Sequence, residues 1–286
     1  MMGSMLCFTI NDVCMKALSD ELPLFQAIFL RGVATSAMML VLTRMMGGLR
    51  FDLPRGDWVL IVVRTVAEIG AAFFFITALF NMPIANATAI LQAMPLSITL
   101  AGALFLGEAV GWRRLSAILI GFMGVLLIVR PGFEGFNFYS VYALIAVACV
   151  TVRDLAARRL SRDVPSMTVA LIAAVAVTVF AGLASLATDW QPLSNKASLQ
   201  LAAASVFVIG GYIFSVTAMR TGEIAVIAPF RYTSLLWALL LGFLVFGDWP
   251  AIPTLAGAAI VVATGVYTFY RERRIARAAP VPLRVR

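Results

Sequence analysis

One stretch of this chain occurs twice, and the repeat limits the fold before any motif does. Thr77-Ala78-Leu79, Ile84-Ala85, an apolar run interrupted by Gln92 and Pro95, and Gly107-Glu108 form the first copy. After 140 residues, without a gap, come Thr217-Ala218-Met219, Ile224-Ala225, an apolar run interrupted by Arg231, Tyr232 and Trp237, and Gly247-Asp248. Earlier landmarks agree, because Asp12, Lys16 and Pro23 match Asp154, Arg158 and Pro165, each 142 residues on. Internal symmetry on this scale is the mark of a duplicated architecture.

Composition decides what is duplicated. Of 286 residues 62% are hydrophobic and 13% charged, far from soluble globular usage. Runs of roughly twenty apolar residues, enough to cross a hydrocarbon core, recur between short charged breaks. They divide into ten spans at about 3–18, 24–44, 57–79, 84–106, 112–130, 138–158, 166–187, 198–219, 224–246 and 252–271. Their length and lack of alternation fit helices rather than barrel strands. With five spans per copy, an odd number, the second copy crosses the bilayer in the opposite sense to the first. The expectation is an all-α integral membrane protein of ten transmembrane helices, arranged as two inverted five-helix repeats around a central cavity. The halves are 1–135 and 136–273, and 274–286 is a basic tail, expected to be disordered and to lie near anionic head groups. A duplication kept only for packing is the competing reading; alternating access uses the same symmetry to face both sides of the membrane.

Charge placement sets orientation. With a cytoplasmic N-terminus, Arg44, Arg50, Arg55, Arg113, Arg114, Arg158, Arg159, Arg162, Arg220 and the tail arginines all fall inside. The other side receives little more than Lys16, Arg130 and Lys196, so both termini are expected in the cytoplasm. The first apolar stretch carries Asn11, Asp12 and Lys16 and no small-residue cleavage site, so it reads as a span rather than a signal peptide. Loops such as Asn81-Met82-Pro83 and Asp248-Trp249-Pro250 are too short to hold a domain, and function must reside among the helices.

Several classes are excluded. The net charge of +8 is scattered between apolar runs, not gathered in a stripe that would bind nucleic acid. Cys7, Cys14 and Cys149 lie in apolar segments and read as packing residues. The chain has no His and its lysines follow no Gly-rich loop, so neither a zinc hydrolase nor an ATP motor is expected, and no cofactor. The Asn86-Ala87-Thr88 glycosylation pattern lies inside a span and is discounted.

The ten-span plan, the Asp-x3-Lys and Asp-x3-Arg landmarks, the Ala-rich fourth and ninth spans and the twin Gly-acid turns resemble the drug/metabolite transporter superfamily. Within it the chain is similar to the EamA-type exporters, most of all to bacterial exporters of amino acids, aromatic ones included. The resemblance implies a helical basket whose cavity is lined by the first, third, fourth, sixth, eighth and ninth spans. It also implies a bacterial inner-membrane location, with the lipid bilayer and a small-molecule substrate as partners and a monomer as the expected unit.

An ionisable group in a span costs about 2.5–3.5 kcal/mol on insertion scales and normally faces protein or water. Arg64 and Glu68, one helical turn apart, are expected to form a structural ion pair, with a proton or substrate role for Glu68 as the rival. Arg31 and Lys16 sit near the outer boundary and are expected to snorkel. Arg231, between Pro229 and the aromatic residues Tyr232 and Trp237, is either a cytoplasmic anchor or the partner of a substrate carboxylate. Pro95 and Pro229 are candidate hinges that free the carbonyls of Leu91 and Ala225. Asn11, Phe74, Gln92, Met94, Tyr212 and Ser234 complete the candidate cavity set, while Ala117, Gly121, Ala259 and Ala263 read as helix-packing positions. The substrates expected are amino acids and similar small metabolites, exported with broad specificity. Multidrug cation efflux and phosphate-sugar translocation are the alternatives on the same fold.

Overall fold

The computed structural model describes residues 1–45, 54–107, 111–132, 136–161, 164–221 and 227–278. Most of the connector from Gly47 to Asp57, Glu108 of the first Gly-acid turn, Ile224, Ala225 and the end of the tail lie outside the described residues. Every regular element described is helical. In chain order these are α1 (Met2–Ala17), α2 (Leu24–Met45), α3 (Arg55–Asn81), α4 (Ile84–Leu91), α5 (Met94–Leu106), α6 (Trp112–Val129), α7 (Tyr139–Arg159), α8 (Ser166–Ser185), α9 (Asn195–Thr221), a 3-10 turn (Ala228–Tyr232), α10 (Thr233–Phe246) and α11 (Ile252–Ala278). Among the described residues nine segments are long and apolar enough to cross a membrane. Helix α1, at 16 residues, is the short tenth. The final helix continues to Ala278 instead of ending at Arg271.

Two spans are broken at matching places. The fourth stops at Leu91, turns through Gln92 and Ala93, and restarts at Met94 with Pro95 in the first turn of α5. Proline is tolerated there because a first-turn N–H has no helical acceptor to lose, so Pro95 starts a helix rather than kinking one. The ninth span passes through a 3-10 turn, Ala228–Tyr232 with Pro229 near its start, before the α-helix that begins at Thr233. Both spans end on a glycine in the left-handed region, Gly107 at φ 68° and Gly247 at φ 69°. At the second, Gly247 N–H donates to Phe243 O and Asp248 N–H to Gly242 O, closing the last turn. The Gly-acid signature thus has a structural cause, since only glycine takes this conformation without strain.

Helix packing follows the repeat. Helix α3 packs along α7 as α9 packs along α1, and α2 meets α9 as α8 meets α3. The pairs α2 with α8 and α6 with α11 each join equivalent elements of the two halves. The α6–α11 contact is a crossing of glycine backbones: a Cβ on Gly124 would lie 2.8 Å from Gly257 O, and one on Gly257 would overlap Gly124 O. Small residues drive such approaches in membranes, where packing replaces the hydrophobic effect. Ala117 is buried, but Ala259 and Ala263, expected at such an interface, are exposed. The register of α11 is set by Gly257 and Gly265, the latter lying under the Tyr232 ring.

Among the described residues the apolar core is in three parts, one around Ile90, Leu96, Ile118 and Val261, one around Met15, Leu18, Leu79 and Ile84, and a smaller one around Met39, Leu171 and Ile209. The exposed large hydrophobics, including Leu104, Phe105, Leu119, Met123, Leu236 and Leu244, form the lipid-facing exterior of the bundle.

Candidate functional site

The two broken spans meet at the centre. Gln92 Nε2 donates to Ser234 Oγ at 2.6 Å, and Ser234 Oγ donates to the carbonyl of Arg231 at 3.0 Å. The irregular backbone thus lies between the halves, where protein and water can satisfy its polar groups.

Around this junction is a cavity of about 320 Å³. Helix α1 contributes Met5, Phe8, Thr9 and Asp12, and the fourth span contributes Thr88, Leu91, Gln92, Met94, Pro95 and Ile98. Arg153 and Asp154 enter from α7, Tyr212 and Ser215 from α9, and Arg231 and Ser234 from the ninth span. In a bundle whose successive spans alternate in direction, the start of α1, the ends of α7 and α9 and the start of the ninth span share one end. The cavity therefore lies toward the end where Arg158 and Arg159 sit. At the other end Lys16 Nζ donates to the carbonyls of Met82 at 2.7 Å and Leu79 at 3.3 Å and stands 5.4 Å from the centre of the Phe246 ring. Lys16 does not snorkel; it caps the last carbonyls of α3, where a cation is favoured by the helix dipole.

The electrostatics combine both signs. Asp12 and Asp154, matched positions of the repeat, are the two acids on the cavity wall. Asp12 accepts from Asn11 Nδ2 at 2.9 Å, and Asn11 Oδ1 accepts from Arg31 Nη1 at 3.2 Å. Asp154 is paired with Arg153 Nε at 2.8 Å, whose Nη1 reaches Glu68 Oε1 at 3.2 Å. Glu68 therefore pairs with Arg153 across the α3–α7 contact and not with Arg64 on its own helix. The Arg-before-Glu order is the weaker within-helix arrangement, and the neighbouring helix offers a guanidinium that already holds a second acid. Arg64 Nη1 instead approaches Val169 O at 3.5 Å. Arg31 likewise does not reach outward. It faces a second, smaller chamber of about 100 Å³ with Arg64, Glu68 and Tyr212 on its wall.

The structure brings Gln92, Met94, Pro95, Tyr212, Arg231 and Ser234 to the central cavity, with Asn11 beside it and Glu68 one ion pair away. It turns three other candidates elsewhere. Phe74 lies in an aromatic row with Phe73 at 5.1 Å and Tyr142 at 5.4 Å. Tyr232 is buried against Gly265 and 6.5 Å from the Phe269 ring centre. In a 3-10 turn neighbours point about 120° apart and residues three apart share a face, so Arg231 and Ser234 face inward together while Tyr232 faces α11. The indole N–H of Trp237 is buried without a partner among the described residues. The third span contributes to the smaller chamber and not to the main cavity wall. Asp12, Asp154 and Arg153 are the charged cavity residues that sequence reasoning passes over, with Thr9, Thr88 and Ser215 among the neutral ones. Their signal is present nonetheless, since Asp12 and Asp154 hold the same place in the two copies.

Ten apolar segments, nine of them long enough to cross a membrane among the described residues, enclose a charged cavity at the seam of two repeats and define a polytopic transport protein. The chain belongs to the EamA-like transporter family, whose model matches twice, over residues 1–130 and 137–270. Among curated proteins it is 25% identical over 283 residues to an S-adenosylmethionine uptake transporter of Rickettsia conorii, covering 95% of this chain and 91% of that one. It is 25% identical over 269 residues, 89% of each chain, to the pseudopaline exporter CntI of Pseudomonas aeruginosa. It is 29% identical over 213 residues to a riboflavin transporter of Vibrio cholerae, covering 74% of this chain and 71% of that one. A crystal structure 22% identical in sequence superposes with a TM-score of 0.64 over 96% of this chain and 98% of its own, which shows the fold. The expected superfamily is thus the right one, while these relatives carry metabolites of several kinds and are not specifically amino acid exporters.

Proposed function

We propose that this membrane transporter exports amino acids and related zwitterionic metabolites from the bacterial cytoplasm by alternating access of two inverted halves, 1–135 and 136–273. The observation that carries the reading is the central cavity, where the carboxylate of Asp12 and the guanidinium of Arg231 share one wall with several apolar side chains. Among the described residues the Arg231 side chain has no hydrogen-bond partner of its own, so it is available to a substrate carboxylate. Asp12 offers an ammonium group its counter-ion, and Phe8, Leu91, Met94 and Ile98 receive an apolar side chain.

The arginine-rich end of the bundle faces the cytoplasm in this reading, by the positive-inside rule, and both termini lie there. The cavity then faces the side from which an exported substrate arrives. Among the relatives, one named for uptake and one named for export match this chain about equally. Direction therefore rests on the charge asymmetry and the placement of the cavity.

Counterflow in proteoliposomes, with labelled phenylalanine, a cationic dye and a sugar phosphate, tests the proposal. Phenylalanine exchange is expected, and Arg231→Gln should slow it about tenfold or more, the effect of losing one charge-assisted hydrogen bond of roughly 1.5–3 kcal/mol. Exchange of the sugar phosphate or the dye alone would overturn the reading.

A further inference from the structure

The smaller chamber lies between α2, α3, α8 and α9 and is separate from the wall formed by the broken spans, yet the two spaces share Tyr212. Its polar lining is Arg31, Thr35, Arg64, Glu68 and Tyr212. Three features of it are unbalanced. First, Glu68 is engaged by Arg153 from outside the chamber, and the hydrogen-bond acceptors of Arg31 and Arg64 are neutral, Asn11 Oδ1 at 3.2 Å and Val169 O at 3.5 Å, with Asp12 beyond Asn11 attracting Arg31 alone. Second, the hydroxyl of Thr35 is buried with no hydrogen-bond partner among the described residues, although it lies on the chamber wall. Third, the two spaces together are lined by four guanidiniums, of Arg31, Arg64, Arg153 and Arg231, against three carboxylates, of Asp12, Glu68 and Asp154, one positive charge in excess. A buried donor without a partner and half-buried cations in excess of the acids around them both favour a ligand of opposite character.

We infer that this chamber is an anion subsite that takes a carboxylate group. At about 100 Å³, against about 320 Å³ for the main cavity, it has room for a carboxylate with several waters. The guanidiniums of Arg31 and Arg64 supply charge and the Thr35 hydroxyl supplies a donor. The carboxylate comes from one of two sources: a small free carboxylate, or the acidic end of a substrate whose remainder passes Tyr212 into the main cavity. The second source rests on the transport reading above; the first does not.

The test uses the full-length protein purified in detergent, with sodium acetate as probe and sodium chloride at equal ionic strength as control. Acetate should raise the melting temperature in a saturable manner, and Arg64→Gln and Thr35→Val should each weaken its apparent affinity, Arg64→Gln by roughly tenfold or more. Thr35→Val is nearly isosteric and guards against a folding defect in the arginine variant. Competition then assigns the source. If phenylalanine displaces acetate and phenethylamine does not, the subsite holds the substrate's own carboxylate. If neither displaces it, a free carboxylate is the ligand, and the subsite stands even when phenylalanine counterflow fails. Acetate stabilisation no greater than that of chloride, or equal acetate affinity in wild type and both variants, overturns the inference.

Discussion

Arg153 is the residue on which most of the buried charge turns. One guanidinium holds Asp154 through Nε and Glu68 through Nη1, so it joins α3 to α7 and places an acid on the cavity wall. The two side chains of the Arg153–Glu68 pair are 25% and 20% exposed, so the pair is neither a screened surface contact nor a fully buried one. Removing one member should cost between the two limits. Glu68→Gln is expected to destabilise the protein by about 1–2 kcal/mol, measured by thermal unfolding in detergent. A double-mutant cycle with Arg153→Gln should show coupling of similar size. Additive effects would mean that the two charges do not depend on each other. Arg153 is hard to single out in sequence because an arginine near the end of a span reads as an anchor for lipid head groups. Asp154 beside it was visible through the repeat, but a repeat shows equivalence of position and not which way a side chain faces.

At the scale of elements, span length and apolar composition suffice to locate the ten helices. The interior breaks are less legible. Pro95 reads as a mid-span kink when the fourth span is taken as one helix, whereas in the structure it opens the second of two. Likewise Tyr232 reads as a cavity residue until the 3-10 turn sets its direction. Both misreadings have one cause: periodicity assumes an unbroken helix, and here the register restarts. The end of α3 shows how the elements are held away from the cavity. Lys16 satisfies carbonyls there that the helix cannot, and it lies close to Phe246 at the end of α10. Lys16→Met should open this end, and amide exchange in the segment around residue 82 is expected to rise roughly tenfold, as for loss of a hydrogen bond to a charged group. Unchanged exchange would mean that the ammonium is not what closes it.

For the whole molecule, the repeat organises packing and site together. Equivalent helices of the halves meet at α2 with α8 and at α6 with α11, and the two broken spans touch through Gln92 and Ser234. The proposed function requires a second state of nearly equal energy, related to this one by exchange of roles, in which each half adopts the arrangement now held by the other. The alternating access proposed above depends on that near-degeneracy, and it is the claim on which the account stands. It is tested most directly by placing one cysteine at position 234, on the cavity wall, after Cys7, Cys14 and Cys149 are changed to alanine. A membrane-impermeant maleimide is then applied to right-side-out and inside-out vesicles. The account predicts labelling from both sides, with transported substrate shifting the ratio between them. Labelling from one side alone, unaffected by substrate, would contradict it.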